Sequence, residues 1–176
     1  MPTVVVPFRG ENAKRRLEPV PAEARNTLAE AMLDDVLDAC HAIGREVRVA
    51  RAGPQGEAVE AALRGVENGP VLVVNADLPC ARPRDLLTLL GALPEGGLAL
   101  VEAADGTTNA LALVDAGDFR PFYGPGSAQR FADHLRAARL ALPGMRDDVD
   151  TQEDLERVRD CVGRFTRRYL NELART

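Results

Sequence analysis

A chain of 176 residues, of which 45% are hydrophobic and 28% charged, is long enough for one folded domain, residues 1–176, and does not have the composition of a disordered protein. The net charge of −5, with no basic block, argues against nucleic acid as a partner, and the apolar runs are far too short to span a membrane. Since the N-terminus lacks the charged and apolar regions of a signal peptide, we expect a cytoplasmic protein.

The first predicted element is a buried, β-branched strand over residues 3–7, which runs into a loop over 8–17. Nucleotide-binding α/β domains place their phosphate-binding loop at this position, so the backbone and Lys14 are candidates to bind a triphosphate. Lys14 is the single lysine among 22 basic residues, which indicates a need for a compact charge. The alternative is a solvated basic turn, since the residue order of a P-loop is absent.

Two helices and a strand are predicted in the next part of the chain. An amphipathic helix over 22–43 carries apolar residues at helical spacing and ends at Gly44. A short alternating strand follows at 46–50, and a second helix is expected at 57–66 after a turn rich in Gly and Pro. We interpret the apolar residues of these elements as core.

The central strand is predicted over residues 71–77, where four apolar residues run into Asn75, Asp77 and Pro79. Continuous hydrophobicity is typical of a parallel strand that is buried on both faces, and Pro79 cannot continue it. Ligands of open α/β sheets bind beyond the carboxyl ends of strands, so Asp77 is placed to hold a hard cation such as Mg²⁺. The alternative is an Asp that only turns the chain.

A helix over 84–93 and two strands over 98–101 and 110–114 are predicted next. The polar loop 104–109 between these strands is either a plain connection or an anion-binding segment. The turn Gly124-Pro125-Gly126-Ser127 then precedes a helix predicted over 128–138, with Ser127 as its N-cap. Unpaired N–H groups at a helix N-terminus favour an anion, so this turn is a candidate anion-binding site. The alternative is that it only caps the helix.

The C-terminal part contains a short predicted strand over 140–142, followed by Asp148 and Asp150. Two carboxylates at alternate positions of an extended segment face the same way, which suits a divalent ion; alternatively they favour the start of the next helix. One helix, begun by a capping box at Thr151, is expected to run on to residue 173. Its apolar residues pack either on this domain or on a second copy, so a homodimer is an alternative.

The cysteines and histidines indicate no further chemistry. Cys40, Cys80 and Cys161 are odd in number and scattered, which fits a reducing cytosol and predicts neither a zinc site nor a disulfide framework. His41 and His134 are isolated on helices, and we expect both at the surface or at its boundary.

Several motifs together resemble one family, the CofC/FbiD guanylyltransferases, within the wider MobA-like nucleotidyltransferases. The motifs are the Lys14 loop, Asn75-Ala76-Asp77-Leu78-Pro79, Thr108-Asn109-Ala110-Leu111, the 122–128 turn and Asp148-Val149-Asp150-Thr151. The resemblance covers most of the chain. It implies a three-layer, Rossmann-like α/β domain of the GT-A type, with a mostly parallel sheet.

The same resemblance implies a Mg²⁺-dependent enzyme that transfers GMP from GTP to phosphoenolpyruvate or 2-phospho-L-lactate and releases pyrophosphate, in coenzyme F-420 biosynthesis. Lys14 and Asp77 would be catalytic, and Asp77, Asp148 and Asp150 would hold Mg²⁺. The nucleotide would be bound by Pro7, Arg9, Lys14, Asn75 and Asp77. The small phosphorylated carboxylic acid would be bound by Thr108, Asn109, Gly124, Gly126 and Ser127.

The chain differs from the family's pattern in three places. The segment 44–70 is shorter, Gly56-Glu57-Ala58 stands where Gly-Leu-Asn is usual, and Phe131 stands where a His is usual. Base specificity and acceptor identity therefore stay open at this point. The alternatives are a relative that uses molybdopterin or a sugar phosphate as acceptor, and a non-catalytic nucleotide-binding homologue.

Overall fold

A six-stranded sheet forms the centre of the protein, for which a computed structural model describes residues 1–10, 17, 20–44, 46–51, 53–67 and 69–175. The strands are β1 (Thr3–Pro7), β2 (Glu46–Ala50), β3 (Val71–Val74), β4 (Leu98–Glu102), β5 (Thr108–Leu113) and β6 (Ala137–Arg139). Their order across the sheet is β2-β1-β3-β5-β4-β6.

The sheet is mostly parallel, as predicted, with one reversed strand. β1 pairs in parallel with β2 and with β3, and β4 pairs in parallel with β6. β5 runs antiparallel to both of its neighbours, β3 and β4. Because Val74 at the end of β3 pairs with Ala110 near the start of β5, the first residues of β5 lie at the edge where β3 ends.

Helices cover both faces of the sheet, which confirms the three-layer α/β architecture. They are α1 (Ala22–His41), α2 (Gln55–Leu63), α3 (Pro83–Gly91), α4 (Ser127–His134), α5 (Pro143–Arg146), α6 (Gln152–Val158) and α7 (Arg164–Leu173). Side chains of α1 and α3 share one core cluster with alternate residues of the central strands, whereas those of α2 and α4 pack on the opposite face. Among the described residues, no helix combines the length and apolarity needed to cross a membrane.

The C-terminal elements differ from their predicted bounds. The single helix expected to residue 173 is two helices, α6 and α7, and the strand expected at 140–142 is β6 at Ala137–Arg139. The break follows from the buried Asp35 of α1, whose carboxylate accepts hydrogen bonds from the backbone N–H of Phe165 (2.9 Å) and of Thr166 (3.0 Å). These bonds satisfy donors of the first turn of α7, so a new helix begins there.

The expectation that the cysteines form no disulfide is wrong. Cys80 and Cys161 are joined, with their Cα atoms 5.2 Å apart and 81 positions apart in the chain. Cys80 lies in a third core cluster with Val149, Val158 and Val162, and this cluster brings the end of α6 to the loop after β3. The spacing of cysteines in a sequence reports local motifs, so it does not reveal a pair that only tertiary packing brings together.

Helix α7 packs on its own domain. The hydroxyl of Tyr169 donates to the backbone oxygen of Ala24 at 2.8 Å, and Tyr169 and Leu170 lie against the third core cluster. Leu173 nevertheless remains 47% exposed.

Candidate active site

Three acidic side chains meet at the carboxyl edge of the sheet. Asp77 follows β3, while Asp148 and Asp150 belong to the extended segment before α6. One carboxylate oxygen from each lies within 4.8 Å of the others. The backbone N–H of Val149 donates to the backbone oxygen of Asp77 at 3.1 Å, so a main-chain hydrogen bond holds the two segments together.

The electrostatics of this cluster favour a cation. Burial, followed by the charges of Asp77 and Asp150, raises the pKa of Asp148 to about 6. The side-chain amide of Asn109, whose nitrogen lies 3.4 Å from an Asp148 carboxylate oxygen, acts in the opposite direction. Oxygen ligands of this charge and spacing fit a hard divalent cation such as Mg²⁺.

A cleft of about 370 Å³ opens beside the acids. Its walls include the predicted nucleotide-binding residues Pro7, Arg9, Asn75 and Asp77, together with Asp150. The structure thus brings these residues to one cavity at the ends of β1 and β3. Lys14, which was predicted to meet the phosphates, lies outside the described residues.

Further residues line the cleft, and among them Phe8, Arg51 and Gln55 have aromatic or polar side chains that were not predicted to bind there. The Arg51 guanidinium carbon lies 4.9 Å from the centroid of the Phe8 ring. The amide nitrogen of Gln55 donates to the side-chain oxygen of Asn75 at 2.7 Å. Arg51 directly follows β2, so the rule that ligands bind beyond the carboxyl ends of strands, applied to this strand as well, would have found it.

The predicted acceptor-binding residues fall into two groups. Asn109 points to the acid cluster: its nitrogen also donates to the backbone oxygens of Met145 (3.1 Å) and Arg146 (2.9 Å). Its own side-chain oxygen is buried without a hydrogen-bond partner in the described part of the chain. The hydroxyls of Thr108 and Ser127, in contrast, are buried and lie 3.0 Å from each other.

The turn before α4 differs from the prediction at its cap. Ser127 is not the N-cap but the first residue of α4, and Gly126, with φ of 71°, precedes it. The Ser127 N–H donates to the backbone oxygen of Gly124, and the Ala128 N–H to that of Gly106. Gly124 has φ of 105°, and no heavy atom of the described residues lies within 4 Å of the place where a Cβ would be.

Arg130 holds this turn in place, and no sequence pattern pointed to it. Its guanidinium donates to the backbone oxygens of Pro125 (2.6 Å) and Phe122 (2.7 Å). The guanidinium of Arg130, a residue of α4, therefore supports the loop wall beside β5.

Comparison with known proteins identifies curated relatives, although no family model matches the chain. A phosphoenolpyruvate guanylyltransferase from Sphaerobacter thermophilus is 33% identical over 188 residues, covering 86% of this chain and 89% of the relative. A 2-phospho-L-lactate guanylyltransferase from Methanosphaerula palustris is 32% identical over 178 residues, covering 88% of this chain and 82% of the relative. A phosphoenolpyruvate guanylyltransferase from Nocardia farcinica is 36% identical over 152 residues, covering 78% of this chain and 66% of the relative.

Solved structures share the fold at lower sequence identity. A protein from Desulfovibrio desulfuricans G20, assigned as a nucleotide-diphospho-sugar transferase, superposes with a TM-score of 0.65 at 15% identity, covering 96% of this chain and 99% of the other. A nucleotidyl transferase from Methanothermobacter superposes with a TM-score of 0.57 at 18% identity, covering 98% and 99%. These likenesses confirm the predicted GT-A-type nucleotidyltransferase fold.

Proposed function

Because the chain belongs to the CofC/FbiD family of phosphoenolpyruvate and 2-phospho-L-lactate guanylyltransferases, we propose that it transfers GMP from GTP to one of these two phosphorylated acids. The observation that carries the proposal is the similarity to guanylyltransferases along most of their length. The convergence of Asp77, Asp148 and Asp150 beside a cleft supports it. The product would serve coenzyme F-420 biosynthesis in the cytoplasm.

In this reaction a phosphate oxygen of the acceptor forms a bond to the α-phosphorus of GTP. The bond from that phosphorus to the oxygen bridging it to the β-phosphate breaks, and pyrophosphate leaves. The attacking oxygen is already anionic, so no side chain has to remove a proton. Neither His41 nor His134 lines the cleft, which is consistent with such a reaction.

We propose that Asp77, Asp148 and Asp150 hold Mg²⁺, which when bound neutralises phosphate charge and orients the phosphates for in-line displacement. The raised pKa of Asp148 supports this role, because a carboxylate that is partly buried and lies beside like charges is stabilised by a cation. Pro7, Arg9 and Asn75 would line the nucleotide-binding part of the cleft, and Lys14 would meet the phosphates. Lys14 and Asp77 would be the catalytic residues.

For the acceptor, we propose binding between Asn109 and the turn that contains Gly124 and Gly126. Asn109 lies beside Asp148, so an acid held there would be close to the phosphates. Thr108 and Ser127 would support this wall through the bond between their buried hydroxyls. The acceptor is a small phosphorylated carboxylic acid, as the names of both groups of relatives imply.

The deciding experiment is a measurement of pyrophosphate release with GTP and Mg²⁺, with phosphoenolpyruvate and 2-phospho-L-lactate in parallel reactions. We expect release that depends on one of the two acids and is lost in Asp77→Asn. Asp160→Asn is the matched control, because Asp160 is exposed in the turn that follows α6, does not line the cleft and should keep wild-type activity.

Two other outcomes would contradict the proposal. If GTP binds with Mg²⁺ and neither acid supports release, the acceptor is different, and molybdopterin and sugar phosphates become the candidates to test. If no nucleotide binds at all, the fold serves a purpose other than nucleotidyl transfer.

A further inference from the structure

The side-chain amides of Gln55 and Asn75 form a directed chain of hydrogen bonds in the cleft wall. Asn75 donates through its amide nitrogen to the backbone oxygen of Thr108 at 3.1 Å. A backbone oxygen only accepts, so this contact assigns the two ends of the Asn75 amide. The Asn75 oxygen then accepts from the Gln55 nitrogen at 2.7 Å, which assigns the Gln55 amide as well. The orientation of Gln55 is therefore set by the main chain of β5.

This arrangement leaves the oxygen of the Gln55 amide as an available acceptor. Gln55 is the first residue of α2, is half-buried and lines the cleft. Its Oε1 makes no hydrogen bond with any residue that the structure describes, since the amide nitrogen alone carries the contact to Asn75. The cleft that also contains Asp77 thus presents a hydrogen-bond acceptor whose direction is fixed.

An acceptor that is fixed opposite position N1 distinguishes between the purine bases, although adenine also carries a donor, its 6-amino group, farther along the same edge. The Watson–Crick edge of guanine carries two donors, the N1–H and the 2-amino group, whereas adenine has an unprotonated, accepting nitrogen at N1. An acceptor held against guanine gains a hydrogen bond. The same acceptor held against adenine N1 faces a second acceptor and leaves a desolvated polar atom unpaired, which is the costlier situation.

We infer that the Oε1 of Gln55 accepts a hydrogen bond from the Watson–Crick edge of guanine and selects GTP over ATP, with Asn75 as the residue that positions it. The inference rests on the proposed function, because a nucleotide whose phosphates lie at the acid cluster would extend its base along this cleft. Arg51 and Phe8 line the same cavity, and a guanidinium and an aromatic ring are both planar groups on which a base can stack.

The test compares equilibrium binding of GTP and ATP, each with Mg²⁺ and without an acceptor, to the wild-type chain and to Gln55→Ala. We expect the wild type to prefer GTP and Gln55→Ala to bind GTP about 10-fold more weakly, with ATP binding unchanged or stronger. Asn75→Ala keeps Gln55 but frees its amide to turn, so it should also reduce the preference for GTP. Glu60→Ala, an exposed change on α2, should leave the preference as in the wild type.

The inference is overturned if folded Gln55→Ala keeps the wild-type preference, or if the wild type binds ATP as tightly as GTP. Because no acceptor is present, the result is independent of the guanylyl-transfer assay. A chain that selects GTP through Gln55 but transfers it to neither acid would support the inference and contradict the proposed function. A chain that binds neither nucleotide would contradict both.

Discussion

Asp148 carries an electrostatic cost that a bound cation would remove. Its pKa is raised from 3.8 to about 6 in the folded protein, first by burial and then by the neighbouring carboxylates. Only the ionised form binds a metal, so protonation competes with Mg²⁺ below about pH 6. We therefore predict that Mg²⁺ affinity, measured by titration calorimetry, falls as the pH is lowered from about 7 to about 5. Affinity that stays constant over this interval would argue against Asp148 as a ligand.

The raised pKa of Asp148 also affects the stability of the metal-free protein, which should decrease as the pH rises. A carboxyl whose folded pKa is raised binds more protons in the folded than in the unfolded state, so it destabilises the fold as the pH rises from 3.8 through about 6. We predict that Asp148→Asn raises the Tm of the metal-free protein at neutral pH and has a smaller effect near pH 5. Differential scanning calorimetry at both values tests this, and the variant should lose pyrophosphate release.

The junction between α1 and α7 depends on one buried carboxylate. Asp35 accepts from two N–H groups at the start of α7, where a negative charge also interacts favourably with the helix dipole. We predict that Asp35→Ala lowers the free energy of unfolding by about 2 kcal/mol in urea titrations. The matched control is Asp38→Ala, which removes an exposed ion pair to Arg164 (2.7 Å) and should cost less than about 1 kcal/mol. Equal effects of the two variants would mean that the cap adds little.

Two bonds, one hydrogen bond and one disulfide, join the loop after β3 to the segment that follows α6. The Gly163 N–H donates to the backbone oxygen of Pro79 at 2.8 Å, and the next residue, Cys80, is joined to Cys161. Since 81 positions separate the cysteines, we predict that a dithiol reductant lowers the free energy of unfolding by about 4 kcal/mol.

Thiol titration in denaturant, without reductant, gives a direct check of the same bond. It should find one free thiol, that of the buried Cys40. Three free thiols would contradict the disulfide.

Much of the fold could be predicted because the sequence patterns that specify it lie within short stretches of the chain. The apolar run at β3 followed by Asp77 predicted both a buried parallel strand and an acid at its carboxyl edge, and the alternate spacing of Asp148 and Asp150 predicted that they would face the same way. The structure places these acids together with Asp77. The reversed direction of β5 was not predicted, because strand direction depends on connections across the sheet.

The features that were missed depend on contacts that follow no repeating pattern in the sequence, most of them between distant parts of the chain. The capping of α7 by Asp35, the pairing of Cys80 with Cys161 and the support of the turn by Arg130 involve residues that no periodicity relates. Ser127 was mistaken for an N-cap because serine favours that position, whereas in the structure its hydroxyl pairs with Thr108, a residue of β5. Here a tertiary hydrogen bond outweighs the preference of serine for the N-cap position.

The position of the acids along the chain has a consequence for how the protein is made. All six strands are complete by Arg139, whereas Asp148 and Asp150 come later. During synthesis the whole sheet therefore leaves the ribosome before the carboxylates that repel Asp77. In refolding the whole chain is present, but closing the cluster brings three carboxylates together, so we again expect it to form last. Pulsed hydrogen exchange should find the amides of β1, β3 and β5 protected before that of Val149, whose N–H donates to the backbone oxygen of Asp77. Simultaneous protection would show that the sheet and the cluster form in one step.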